Sequence, residues 1–172
     1  MTHRLITAAA SGLAVAAMAA GAAAAHDSSQ DDAIAQSAYM TGQAVPDEDG
    51  VADADGKGSA TFLHVDARTV CYGFTVTGAG TPTKIAIYKG KAGEIGRTVF
   101  PFANLPKGAD GQPAGDPGTS SGCKEAANAA EAAALKRIRK APQNYYLLMK
   151  TEDFPGGAIR GQLSKAAYGP VS

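Results

Sequence analysis

The nine residues Thr69–Thr77 constrain the fold more than any other stretch of the chain. Val70, Tyr72, Phe74 and Val76 fall on one side at period two, and Cys71, Gly73 and Thr75 fall on the other. That alternation belongs to an extended strand with one face buried and one turned outward. The same texture recurs at spacings of roughly ten residues. Tyr39, Thr41 and Gln43 alternate with Met40, Gly42 and Ala44 until Pro46 stops the run, and residues 59–65 alternate about Phe62 and Leu63. Residues 83–88 carry Ile85 and Ile87, Thr98–Phe102 is short and apolar, and residues 144–150 and 158–163 complete the series. Turn-forming residues lie between these runs, in 89–96 with its three glycines, in the long Gly/Pro/Asp/Ser segment 106–122, and in Asp153-Phe154-Pro155-Gly156-Gly157. Residues 124–140 differ: they are Ala-rich, with Glu early, Lys and Arg late and Pro142 beyond, which predicts a helix whose thin apolar face is Leu135 and Ile138. Short strands with one late helix predict a mainly β fold, an antiparallel sandwich with a helix near 124–140, and not a βαβ sheet.

The first 25 residues carry an address. A short basic start containing Arg4 precedes an uncharged run from Leu5 to Ala25, and Ala23-Ala24-Ala25 supplies the small side chains that a signal peptidase requires. We read residues 1–25 as a signal peptide cut between Ala25 and His26. A membrane anchor is the competing reading, but Ala, Gly, Thr and Ser partition weakly into lipid and no basic cluster follows as a stop signal. No second apolar run reaches membrane length, so the expected product is exported, secreted or periplasmic, without a membrane span. It is about 150 residues long, a normal size for one domain. Residues 26–36 are polar and patternless and read as a flexible leader.

Composition removes several function classes. The 172 residues hold 16 Lys and Arg against 16 Asp and Glu, which gives no electrostatic reason to expect a nucleic-acid or polyanion binder as the main role. With 6% aromatic residues and no Trp, the chain is poorly equipped as a stacking platform for bases or sugars. The only cysteines, Cys71 and Cys123, both lie in the exported part, where a disulfide is the default state of such a pair. Closing a loop of that length is worth about 4 kcal/mol on the chain-entropy argument. A redox pair favours Cys-x-x-Cys, and a structural zinc site asks for four ligands.

Few residues are candidates for carrying chemistry. His26, as a new N-terminus, offers an α-amine and an imidazole that together chelate copper, but a further ligand is needed; His64 is available for that role, although nothing in the spacing requires it. Asp47, Glu48, Asp49, Asp53 and Asp55 crowd a Gly-containing segment, yet no register places Glu at the twelfth position of a calcium loop. Lys136, Arg137, Arg139 and Lys140 form a basic run that could meet an anionic polymer or headgroup, and that equally complements the carbonyl end of a helix. Arg160 and Glu152 flank the last turn and are placed to pair across it. Gly156 and Gly157 suit positive-φ turn positions. Gly58-Ser59-Ala60-Thr61-Phe62 lacks the second glycine of a nucleophile elbow, and no hydrolase signature emerges. We therefore assign no catalytic residue, no cofactor and no metal site, with His26 reserved for the copper alternative.

Several stretches resemble the CHRD (chordin-type) domain family. These are Tyr39-Met40-Thr41-Gly42-Gln43-Ala44-Val45-Pro46 with Gly58-Ser59-Ala60-Thr61-Phe62; Val70-Cys71-Tyr72 with Ile87-Tyr88-Lys89-Gly90-Lys91-Ala92-Gly93 leading to Gly96; and Pro142, Tyr145-Tyr146 and Thr151-Glu152-Asp153-Phe154-Pro155-Gly156-Gly157-Ala158-Ile159-Arg160-Gly161-Gln162-Leu163. The resemblance covers about residues 37–165, leaving 166–172 as a tail. It implies an exported Greek-key β-sandwich similar to the immunoglobulin or superoxide dismutase sandwiches, and it implies no particular reaction. Many relatives carry His-x-His before the Lys-Gly loop and a third His in the penultimate strand; here those positions are Ala86, Tyr88 and Lys150, so a metal role is not carried over. The expectation is a non-enzymatic CHRD-domain protein that binds or scaffolds an unknown protein or envelope component in the periplasm, envelope or extracellular space. Recognition is expected in the loops 89–96 and 106–122 at one end of the frame. A small copper-binding redox protein using His26 is the alternative.

Overall fold

The computed structural model describes residues 34–46, 52–109, 111 and 116–166. The segment read as a signal peptide, the Ala25–His26 junction, Asp47, Glu48 and Asp49, and the tail after Ala166 lie outside the described residues. The elements run β1 (Ile34–Thr41), β2 (Lys57–His64), β3 (Thr69–Thr77), β4 (Pro82–Lys89), β5 (Thr98–Phe102), β6 (Gly118–Glu125), α1 (Ala129–Lys140), β7 (Tyr145–Thr151), β8 (Ile159–Gln162) and β9 (Ser164–Lys165). Short 3₁₀ turns occupy Gly42–Ala44 and Pro142–Asn144. The fold is mainly β, its strand pairs are antiparallel, and it carries one helix, as the alternation predicts.

Lateral order is β5-β4-β7-β8-β1-β2-β3-β6, with β9 also beside β1. The first three strands form a meander; the chain then crosses from β3 to β4 and later from β6 to β7, the long connections of a Greek key. The terminal strands β5 and β6 meet across a seam, so the sheet is nearly closed. Side chains bind that seam: Lys124 Nζ donates to the Pro101 carbonyl (2.6 Å), Asn104 Nδ2 to the Ser121 carbonyl (2.9 Å) and Ser120 Oγ to the Asn104 carbonyl (3.1 Å). A backbone bridge between Lys107 and Thr119 continues it.

The interior follows from period two. Alternate residues of β2 are buried, ending at Phe62 and His64, and on β3 Val70, Phe74 and Val76 point the same way. Phe62, Tyr72, Phe74, Phe100 and Phe102 pack with ring centroids 4.7–5.9 Å apart, edge-on or tilted in most pairs. The helix lays Leu135 and Ile138 on this core, both fully buried. Its start is set by Asn128, whose Oδ1 accepts the Glu131 N–H at 2.9 Å. Cys71 and Cys123 are directly opposed in the β3–β6 ladder and form a disulfide on its outer side.

Besides shifts of a few residues at strand ends, three boundaries differ from the sequence reading. The helix begins at Ala129 and not at 124, because Lys124 belongs to β6. Part of the segment read as a long loop, 106–122, is the first half of β6. That strand shows no apolar alternation because its inward positions are Gly118, Ser120, Gly122 and Lys124, opposite Val76, Phe74, Tyr72 and Val70. The β3 side chains need the room: a Cβ at Gly122 would sit 3.3 Å from the Tyr72 hydroxyl. Finally, residues 34–36, placed in the leader, already belong to β1, and Gln36 is buried by a specific bond described below.

The turn before β8 ends at Gly157, where φ is +155° and a Cβ would meet Leu148 Cδ1 at 2.8 Å and Val45 Cγ1 at 3.4 Å. Gly157→Val is therefore expected to cost about 2 kcal/mol or more through backbone strain and overpacking. Urea unfolding of the variant checks this; an unchanged midpoint would refute the steric account of the turn.

Candidate binding cleft

The β4–β5 loop, residues 90–97, is held to the barrel mainly through its main-chain atoms. Arg160 and Gln162 occupy alternate positions of β8 and so share its outer face. The Arg160 guanidinium donates to the Glu94 carbonyl (2.7 Å) and the Lys91 carbonyl (2.6 Å) and lies over the Tyr146 ring, 3.4 Å from its centroid. Tyr146 stacks in turn on Tyr88, with centroids 5.3 Å apart and an interplanar angle of 12°, and its hydroxyl accepts the Gly96 N–H at 3.0 Å. Gln162 Nε2 lies within 2.7–2.9 Å of the Gly90, Gln143 and Tyr145 carbonyls. The loop adds bonds of its own, from Lys91 N–H to Glu94 Oε2 (2.9 Å) and from Gly90 N–H to the Asn144 carbonyl (2.8 Å).

Arg160 is only 2% exposed. Burial works against its charged form, and Tyr146 and Glu94 offset part of that effect. A buried guanidinium is tolerated where its N–H groups find acceptors and its flat face finds a ring, and Arg160 has both. This is also a correction: Arg160 does not pair with Glu152 across the last turn but reaches the β4–β5 loop.

Between this loop and the C-terminal half of α1 lies a cleft of about 500 Å³. Lys89, Lys91 and Glu94 line one side, Arg137 and Lys140 the other, with Tyr145 between. The structure thus brings together two features that the sequence kept apart, the 89–96 loop and two members of the 136–140 basic run. Ile95, in the same loop, is 61% exposed.

The other sequence candidates resolve differently. His64 is an inward residue of β2, 1% exposed, with Nε2 3.0 Å from Gln36 Oε1; Gln36 Nε2 in turn donates to the Ile138 carbonyl (2.9 Å). The chain His64–Gln36–Ile138 joins β2, β1 and α1 and accounts for the burial of Gln36. It also engages the imidazole that the copper reading considered as a partner for His26, a residue outside the described ones. Asp53 Oδ1 accepts the Asp55 and Gly56 N–H groups (3.1 and 2.9 Å), so this acidic residue builds a turn. Among the described residues no group of three or more His, Cys, Asp or Glu is arranged to hold a metal ion. Ala86, Tyr88 and Lys150, where the resemblance places imidazoles, fall on the outer side of β4 and β7; Ala86 and Tyr88 pack there with Tyr146 and Leu148. The clamp was missed because its polar groups serve backbone acceptors distant in sequence, and no motif records such partners.

The family model of the CHRD domain matches residues 36–163, about three quarters of the chain. No curated protein and no solved structure matches it.

Two outcomes follow from this geometry. Arg160→Met removes the guanidinium donors of two partly buried carbonyls, of which that of Lys91 keeps the Glu94 N–H at 3.0 Å, and is expected to cost about 1–3 kcal/mol. Hydrogen exchange at Lys91 and Gly96 should accelerate more than in the β2–β3 ladder; unchanged loop protection would refute the clamp. Burial, assisted by Arg139, lowers the His64 pKa to about 4 from 6.5, and Nδ1 has no hydrogen-bond partner among the described residues. The native state therefore holds the neutral ring while the unfolded chain takes up a proton first. This contribution is complete above pH 6.5 and is lost as pH falls toward 4. Between pH 7.5 and 5 it amounts to about 2 kcal/mol, which urea titrations should show in the wild type and not in His64→Asn.

Proposed function

The chain belongs to the CHRD-domain family, and from that membership we propose an exported, non-enzymatic binding or scaffolding domain that works in the periplasm, envelope or extracellular space. The family is in general a non-catalytic one, which supports a binding role. The signal-peptide pattern of residues 1–25 and the Cys71–Cys123 disulfide support export to an oxidising compartment. One observation carries the choice of surface: the β4–β5 loop is fixed to the frame by Arg160, Gln162 and Tyr146 and presents Ile95 and Lys91, next to Lys89 at the end of β4, beside a cleft. Rigid loops on a β framework are effective recognition surfaces because little ordering is left to be done on binding. The outer face of β2, β3 and β6 offers a contrast, with the uncharged hydroxyls of Ser59, Thr61, Thr75, Thr119 and Ser121 around a depression of about 340 Å³.

A photo-crosslinking amino acid placed at Ile95, and separately at Thr75 on that contrasting face, tests the assignment in the native exported fraction. Defined adducts are expected from position 95 and not from 75, on a chain whose N-terminus by mass spectrometry is His26. Adducts from 75 alone would move the binding surface to the opposite face, and retention of residues 1–25 would overturn export by cleavage.

A further inference from the structure

We infer that the cleft between the β4–β5 loop and α1 is an anion site, for a ligand group with two or more clustered negative charges of the phosphoryl or sulfate class. The inference rests on the loop being the recognition surface and adds the chemistry it recognises. Net charge hides this feature, because 16 cations balance 16 anions over the chain while the cleft gathers four cations and one carboxylate. The carboxylate, on Glu94, is turned back to its own loop, where it accepts the Lys91 N–H. Two ion pairs occur among the described residues, Arg68–Glu125 and Lys124–Glu131, and neither involves Lys89, Lys91, Arg137 or Lys140.

A helix end explains only half of the cluster. Cations in a last turn complement its free carbonyls, which accounts for Arg137 and Lys140 on their own element. Lys89 and Lys91 come from a different element and gain nothing from that dipole, yet they face the same space. Like charges brought together without partners repel, and an ordered oxyanion relieves that repulsion. Three of the four are lysines, compact point charges suited to phosphoryl oxygens, and the single arginine adds a planar fork. A volume of about 500 Å³ falls among small-molecule sites, so the ligand is a headgroup-sized unit and not a bare ion. The Arg160 and Gln162 anchors hold the main chain at Gly90, Lys91 and Glu94 in place, so the backbone that carries these lysines is fixed before binding.

Calorimetric titration of the mature, disulfide-bonded protein with tripolyphosphate at low salt tests the inference. One saturable site is expected, weakened roughly tenfold or more by Lys89→Gln with Lys91→Gln, and again by Arg137→Gln with Lys140→Gln. Lys57→Gln with Lys107→Gln, away from the cleft, should leave it unchanged. Absence of saturable heat, or equal weakening by the distant pair, overturns the site. Co-sedimentation with cardiolipin vesicles, whose headgroup carries two phosphates, separates the sources. Sedimentation displaced by tripolyphosphate supports a lipid headgroup, no sedimentation alongside tripolyphosphate binding supports a soluble phosphoryl ligand, and sedimentation that tripolyphosphate does not displace overturns the cleft as the contact. Adducts at position 95 without oxyanion binding sink this inference alone, whereas failure of both removes the loop as the recognition surface.

Discussion

A curled antiparallel sheet has two free edges, and the interior stays dry only if they meet. Here they meet at Lys124. Its ammonium group lies 4.0 Å from the centroid of the Phe100 ring, donates to the Pro101 carbonyl and pairs with Glu131 at 3.0 Å. One side chain thereby ties β6 to β5 and to the first turn of α1. An ammonium so enclosed is costly unless carbonyl, carboxylate and ring share its charge, and all three do. On the opposite face of the same strand, Cys123 is bonded to Cys71 on β3. A strand that buries no apolar side chain is thus held from both faces, by a polar key inward and a covalent one outward.

The other side of the barrel depends on β8. Ile159 faces the core, while Arg160 and Gln162 face out to the loop. Four residues therefore couple interior packing to the placement of the β4–β5 loop. Tyr146 extends the arrangement, because its ring carries the guanidinium and its hydroxyl holds Gly96. The cleft inherits its geometry from this spine, and α1, seated by Leu135 and Ile138, supplies the facing wall.

Much of the frame was legible in the sequence because burial on one face of a strand leaves a period of two. Thr69–Thr77 was readable to the residue, the strand about Ile85 and Ile87 was readable from that pair, and Thr98–Phe102 was readable as a short apolar strand. Legibility failed where the inward side chains are not apolar. In β6 the space belongs to Tyr72 and Phe74 of its neighbour, so Gly and Ser fill positions where periodicity looks for Val or Ile. At the start of β1 the inward residue is Gln36, polar because it bridges His64 and a helix carbonyl. The candidate site was half legible: the loop and the basic run each stood out, but their meeting depends on the Greek-key crossing that places α1 beside the β4–β5 loop. Arg160 was noticed and given the wrong partner, since a charge in a turn suggests a nearby carboxylate while its true acceptors are carbonyls 66 and 69 residues away.

The grip of Arg160, Gln162 and Tyr146 on the β4–β5 loop is on carbonyls and amides alone. Ala92 and Ile95 take no part in any of these bonds, and Lys91 contributes only its main chain. The path of the loop is thus written largely by residues elsewhere, and the side chains of Lys91, Ala92 and Ile95 are left interchangeable. A chain built in this way can trade one specificity for another by point substitution without reopening the question of how it folds.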